Sequence, residues 1–396
     1  MRRLLLAVLV GLFAPRAAGA MTLEEALALA EQAPAAQAAR ARAQAADAAA
    51  EASGAWPATT VGAATTTSSA HAILTASVPV PIFGTLGASR AVGRAEADTA
   101  AAERRVAWLD LRQRVTRAWL ELARLEARSE RAGAGAEREA ELAAATRRRF
   151  DAGDTARVDV VASEAQAARA RARAEGEREN ALAAAALLAG ALGLDPETPL
   201  HADGGLPAPG DGAPLERRAE RTAAHPEVRA AAGRVAAEAG RADAARAERW
   251  PHLALDVEGT IDDPTLPGND LRLGVTLELP LLGKTGDAVR AAEARQRAAE
   301  LERAVAAHQV GAELVAAHRA WGSARRRALN LETTVVPAQR EAARLARVAY
   351  EQGQLGLISA LEAERTLVDV EVEAIDARAE AAAAHADLAR AEGEAP

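Results

Sequence analysis

The chain has 396 residues, enough for one large domain or two modest ones, and its 48 Lys and Arg against 56 Asp and Glu leave a net charge of -8, which argues against a nucleic-acid surface. It holds no cysteine, which excludes a disulfide framework, a thiolate metal site and a cysteine nucleophile. An Ala-, Arg- and Glu-rich chain with only 9 aromatic residues has the composition of long helices and coiled coils.

Residues 1–20 read as a secretory signal peptide. Arg2 and Arg3 precede an apolar core at 4–13, and Ala18-Gly19-Ala20 is a small-residue site for cleavage after Ala20. The core is too short for a permanent membrane helix, and Met21 rather than Cys follows it, so no lipoprotein is expected. No later apolar run is long enough to span a membrane, so any membrane passage must be made with strands.

A first structural repeat is expected over 21–194. Thr22 with Glu25 three residues on is a capping-box start for a helix to about Ser53, which Trp56-Pro57 ends. A β-hairpin at 57–82 follows, with a tight turn near 69–71. In its second strand Leu74, Ala76, Val78 and Val80 alternate with Ile73, Thr75 and Ser77, and Pro79 and Pro81 bring that strand to its end. After Phe83-Gly84 a long helix runs to about Phe150. Trp108, Leu111, Val115, Trp119, Leu122 and Leu125 form its apolar stripe, and Gly133 and Gly135 mark a weak point. A turn at 151–155 breaks it, and another helix covers 157–192. Residues 195–214, rich in Pro and Gly, read as a linker.

A second repeat at 215–392 restates the pattern. A helix at 216–249, interrupted by His225-Pro226, ends at Trp250-Pro251. The β-hairpin at 251–280 is the clearest signal in the chain. Leu253, Leu255, Val257 and Ile261 alternate with Asp256, Glu258 and Thr260; Leu271, Leu273, Val275, Leu277 and Leu279 alternate with Arg272, Gly274, Thr276 and Glu278. Strict period two indicates strands, apolar outside and charged inside. A long helix from about 287 to 350, weakest at Pro337, leads to a turn at 351–355, a closing helix at 357–391 and a short tail at 393–396.

Trp250 lies 194 residues after Trp56, Gly283 lies 199 after Gly84, and Gly353 lies 200 after Gly153. These landmarks indicate an internal duplication. The expected fold class is mainly α with a small β part: tandem-duplicated long helical hairpins plus two β-hairpins. The long helix, at roughly 66 residues, is about 100 Å in length, and each return path comes in two shorter pieces. Four strands cannot close a barrel and lipid does not tolerate an open sheet edge, so lipid-exposed strands require several chains to share one barrel.

The Trp-Pro before each pair of strands, the run Ser77-Val78-Pro79-Val80-Pro81-Ile82-Phe83-Gly84, the two turns and the duplicated layout from about residue 22 to 392 resemble the TolC-like outer membrane efflux proteins. The resemblance implies a homotrimer with a 12-stranded outer-membrane β-barrel continued by a periplasmic α-helical barrel. It implies the exit duct of a tripartite efflux or type I secretion system in a Gram-negative outer membrane. Its partners would be outer membrane lipid, a periplasmic adaptor (membrane fusion) protein and an inner-membrane RND or ABC transporter. The short chain resembles the heavy-metal efflux branch. Gly153, Asp154, Thr155 and Asp159, with Gly353, Gln354 and Leu355, would then form the periplasmic tip that meets the adaptor and holds the closed entrance. Asp154 or Asp159 would form an acidic ring by threefold symmetry, or serve as an ordinary helix cap. Asp256, Glu258, Arg272 and Glu278 would face the barrel lumen, and Trp56, Phe83 and Trp250 would sit at the membrane interface.

Other chemistry finds little support. Gly283-Lys284-Thr285 resembles the end of a phosphate-binding loop, but that motif needs a glycine where Glu278 stands. His308 and His318 are ten apart, on different helix faces, and the remaining histidines are scattered. No enzyme chemistry, cofactor or protein-ligated metal is expected. The competing reading is a periplasmic coiled-coil adaptor or scaffold protein of a transport complex.

Overall fold

The computed structural model describes residues 19–65, 72–210, 222–261, 269–280 and 285–393. The expected signal peptide up to residue 18, the turn near 69–71, the loop at 262–268 and Gly283-Lys284 lie outside the described residues. The chain divides into two units, one of Met1–Gln37, Leu109–Leu215 and Leu314–Pro396, the other of Ala38–Trp108 and Glu216–Glu313. Each takes segments from both sequence repeats.

The second unit carries the sheet. Strands β2 (Thr60–Ala64), β3 (Ala72–Val80), β5 (His252–Ile261) and β6 (Asp270–Glu278) form an antiparallel sheet in the order β2-β3-β5-β6. The two hairpins meet along β3 and β5, from Ala72↔Ile261 to Val80↔Leu253. Pro79 lies inside β3, opposite Ala254. It is tolerated because β2 stops at Thr60↔Ser77, so among the described residues Pro79 has a neighbouring strand on one side only. Most of helix α2 (Pro34–Ser53), helix α5 (Pro226–Ala247) and the first parts of α3 (Thr85–Asp151) and α6 (Thr285–Asn330) complete this unit. A Cβ at Gly240 would lie 2.8 Å from Val92 Cγ2, so α5 approaches α3 as closely as only glycine permits.

The first unit holds the rest of α3 and α6 together with α1 (Leu23–Ala30), α4 (Arg157–Leu192), α7 (Val336–Glu351) and α8 (Leu357–Ala391). Most of its buried core is alanine, with Leu122, Leu188, Leu314 and Leu388 fully enclosed, each contributing about 1.5–3 kcal/mol by burial. Ion pairs tie α3 to α8: Arg124 to Asp376 at 2.8 Å, Arg390 to Asp110 at 2.7 Å, and Arg117 to Asp387.

Four sequence expectations change. The first helix is two: Pro34, which has no N–H to donate, starts α2 after the short α1. The α1 start has the expected capping box, with Glu25 N donating to Thr22 Oγ1 at 3.2 Å and Thr22 N to Glu25 Oε2 at 3.0 Å. Gly133 and Gly135 do not break α3, which runs through them. A Cβ at Gly135 would lie 3.0 Å from Val368 Cγ2, so that glycine serves the close approach of α3 and α8. The described part of the expected linker, 195–210, contains a strand. His201–Ala202 forms a strand, β4, parallel to β1 (Ala20–Met21), and the Trp119 indole donates to Met21 O at 2.9 Å. At Pro337 the helix widens rather than breaks. Residues Leu331–Val335 form a π turn in which the Val336 N–H donates to Leu331 O, five residues back.

Candidate functional site

The sheet sorts its side chains by chemistry. Register places Val61, Ala76, Val257 and Leu273 in one row across all four strands, and Ala63, Leu74, Gly259 and Leu271 in another. With Leu255, Val275 and Leu277 they build a face without a charged group among the described residues. This face is open: Leu271, Leu273 and Val275 are 68%, 79% and 65% exposed. Contiguous apolar surface of this kind marks a face that meets lipid or protein.

The opposite face is polar. Asp256 accepts hydrogen bonds from Ser77 Oγ at 2.6 Å and from Thr276 Oγ1, which links three strands through one carboxylate. Arg272 lies 3.7 Å from Glu258 and donates to Asp270 at 3.0 Å. Glu278 stands at the end of the ladder, opposite His252. Asp256, Glu258, Arg272 and Glu278 therefore share one face, with Ser77 and Thr276 as members that the charge pattern alone did not single out. Beside the sheet Phe83 and Trp250 stack, ring centroids 5.7 Å apart, and Trp56 is exposed.

The two turns of the first unit have one geometry. Gly153 and Gly353 take positive φ, 86° and 74°. Asp154 N donates to Arg149 O at 2.8 Å, and Gln354 N to Ala349 O at the same distance. In each case a glycine in left-handed conformation closes the preceding helix and satisfies its last carbonyls. Thr155 Oγ1 donates to Asp159 Oδ2 at 2.6 Å at the start of α4, whose N-cap residue, Ala156, makes no side-chain cap bond; Asp154 is exposed. Leu355 packs on the cluster of Leu142, Tyr350, Leu357 and Ala360.

A clamp joins the two turns. Tyr350 is buried, its hydroxyl 2.9 Å from Thr146 Oγ1. The Arg149 guanidinium donates to Tyr350 O at 3.0 Å and sits 4.9 Å from its ring centroid. The matching aromatic-x-x-Gly steps were legible in sequence; the arginine and threonine that seize the tyrosine were not. No helix among the described residues is long and apolar enough to cross a membrane.

A family model described as outer membrane efflux protein matches residues 20–194 and again 220–394. Several solved structures share the fold. The outer-membrane channel OprN is 22% identical with a TM-score of 0.79, covering 94% of this chain and 90% of its own. The outer membrane protein VceC from Vibrio cholerae is 19% identical with a TM-score of 0.77, covering 94% and 96%. The Campylobacter jejuni CmeC outer membrane channel is 13% identical with a TM-score of 0.81, covering 94% and 85%. No curated protein sequence matches significantly.

Proposed function

The chain belongs to the outer membrane efflux protein family, as a channel protein rather than an enzyme, and from that premise we propose that three copies join their sheets into one 12-stranded barrel in the outer membrane of a Gram-negative bacterium. The single observation that carries this reading is the two-faced, open-edged sheet. Its apolar face suits hydrocarbon and its polar face suits a water-filled lumen. Among the described residues no further strand pairs with the outer edges of β2 and β6, and lipid does not tolerate unpaired backbone groups. Closure with copies of itself pairs them.

In this reading Asp256, Glu258, Arg272 and Glu278 line the lumen. Trp56, Phe83 and Trp250 sit at the lower membrane interface, where amphipathic rings are favoured. The helical unit extends into the periplasm, and its turns at 153–155 and 353–355 form the tip. There a periplasmic adaptor docks, and through it an inner-membrane transporter of the RND or ABC class delivers cargo. Export with cleavage after Ala20 would leave Met21 as the first residue, still able to pair with Ala202. Domain boundaries at 21–194 and 215–392 describe the duplication.

The test is membrane fractionation followed by mass measurement of the detergent-extracted particle. The expected result is an outer-membrane trimer whose gel mobility changes on heating. A soluble periplasmic monomer would overturn the channel reading in favour of the adaptor or scaffold.

A further inference from the structure

We propose that Glu139 is a proton-operated switch in the helical unit: with a proton on its unpartnered oxygen α3, α4 and α8 pack tightly, and without that proton the packing loosens. Glu139 projects from α3 and is only 5% exposed, an unusual place for a carboxylate. Its Oε2 is buried and has no hydrogen-bond partner among the described residues. Leaving such a group ionised and unsatisfied is costly, and a proton relieves the cost.

The surroundings define what a proton would change. Glu139 lines a cavity of about 150 Å³ between α3, α4 and α8, floored by Gly135, Ala136 and Val368. From α4, Gln166 hydrogen-bonds the carboxyl, and Arg169 and Arg173 line the same cavity. From α8 come Glu364, a like charge, and Arg365; Arg138 is the neighbouring cation on α3. The arginines do not settle the matter by pairing with it. Arg138 donates to Glu364 at 3.1 Å, and Arg173 and Arg365 lie 3.7 and 3.8 Å from Asp369. Burial and then the Glu364 charge push the Glu139 carboxyl up, outweighing the opposing pull of Gln166, Arg138 and Arg173.

The sign follows. A carboxyl raised in the packed state favours packing when protonated. The full stability is present below the usual carboxylate range and is lost as pH rises through the raised value. Beside the cavity, α3 and α8 already approach closely at Gly135 and Val368. α3 and α4 flank the turn at 153–155, and α8 begins after the turn at 353–355. A channel of the outer membrane meets the pH of the surrounding medium, so the physiological relevance rests on the proposed placement.

The experiment is hydrogen exchange on the whole protein, read by mass spectrometry from about pH 7.5 to about pH 4.5 and corrected for the intrinsic pH dependence of exchange. Amides of α4 and α8 should slow at least about twofold as pH falls. Glu139→Gln should hold them at the slow, low-pH level throughout. Arg173→Gln, a change at an exposed side chain, should keep the transition and move its midpoint upward, because it removes a cation that favours the charge. A Glu139→Gln protein that responds to pH as the wild type does overturns the switch, as does an Arg173→Gln midpoint that stays or falls. Exchange is read whether or not the protein conducts, so failure of the channel reading and failure of the switch are separate results.

Discussion

Arginine in place of Leu273 separates a lipid-facing sheet from a solvent-facing one. Leu273 pairs with Val257, one step from the centre of the nine-pair β5–β6 ladder, and is 79% exposed. In water such a site tolerates substitution within about 0.5 kcal/mol. Near a bilayer midplane an arginine costs about 2–4 kcal/mol, and a trimer carries three of them, roughly 6–12 kcal/mol in all. The adjacent row is the control. Thr75 pairs with Glu258, which pairs with Arg272, on the polar face. Leu273→Arg should therefore deplete the heat-modifiable trimer in the outer-membrane fraction, and Thr75→Arg should leave it and alter conductance instead. The reverse pattern, or Leu273→Arg trimer at wild-type yield, would refute the assignment of faces.

Further expectations concern the turns and the polar face. Gly153→Ala forces a side chain into left-handed backbone and should destabilise the helical unit by about 1–2 kcal/mol in thermal melting. Gly87→Ala, within α3 and with no atom near its would-be Cβ, should be neutral or stabilise by up to about 1 kcal/mol. Tyr350→Phe removes the bond to Thr146 but leaves the ring, and should cost about 1 kcal/mol by the same measurement. Asp256→Asn removes a fixed negative charge from the polar face; single-channel reversal potentials should shift toward lower cation preference.

How much was legible follows from the range over which each signal acts. The alternation at Leu271–Leu277 is a local pattern repeated many times, so the strands and the division of residues between two faces were readable. In β2 the residues Gly62, Ala63 and Ala64 are too small to write the same pattern, and the strand is faint in sequence though real in structure. Two-residue strands such as β1 and β4 have no periodicity at all. Gly135 shows a different ambiguity: glycine inside a helix can signal weakness or close approach, and only the presence of Val368 decides. The bond from Ser77 to Asp256 spans 179 residues, beyond any local reading. Glu139 was hidden because one acid among many on an Ala- and Arg-rich helix gives no sign of which face it occupies.

The two outer strands are unequal. Strand β6 has nine residues, and β2 has five. If copies close head to tail, each seam joins one of each, and β2 can match at most five positions of its neighbour. Within a subunit β3 and β5 meet at nine. Such a heterologous contact gains nothing lasting until the ring is complete, when every seam is made at once. The assembly would therefore form late and in one concerted step, and it would come apart by unzipping along the short strand while each subunit's own sheet survived. Heating and reassembly would then be governed by three five-residue seams, and the shortest strand in the barrel would set its lifetime.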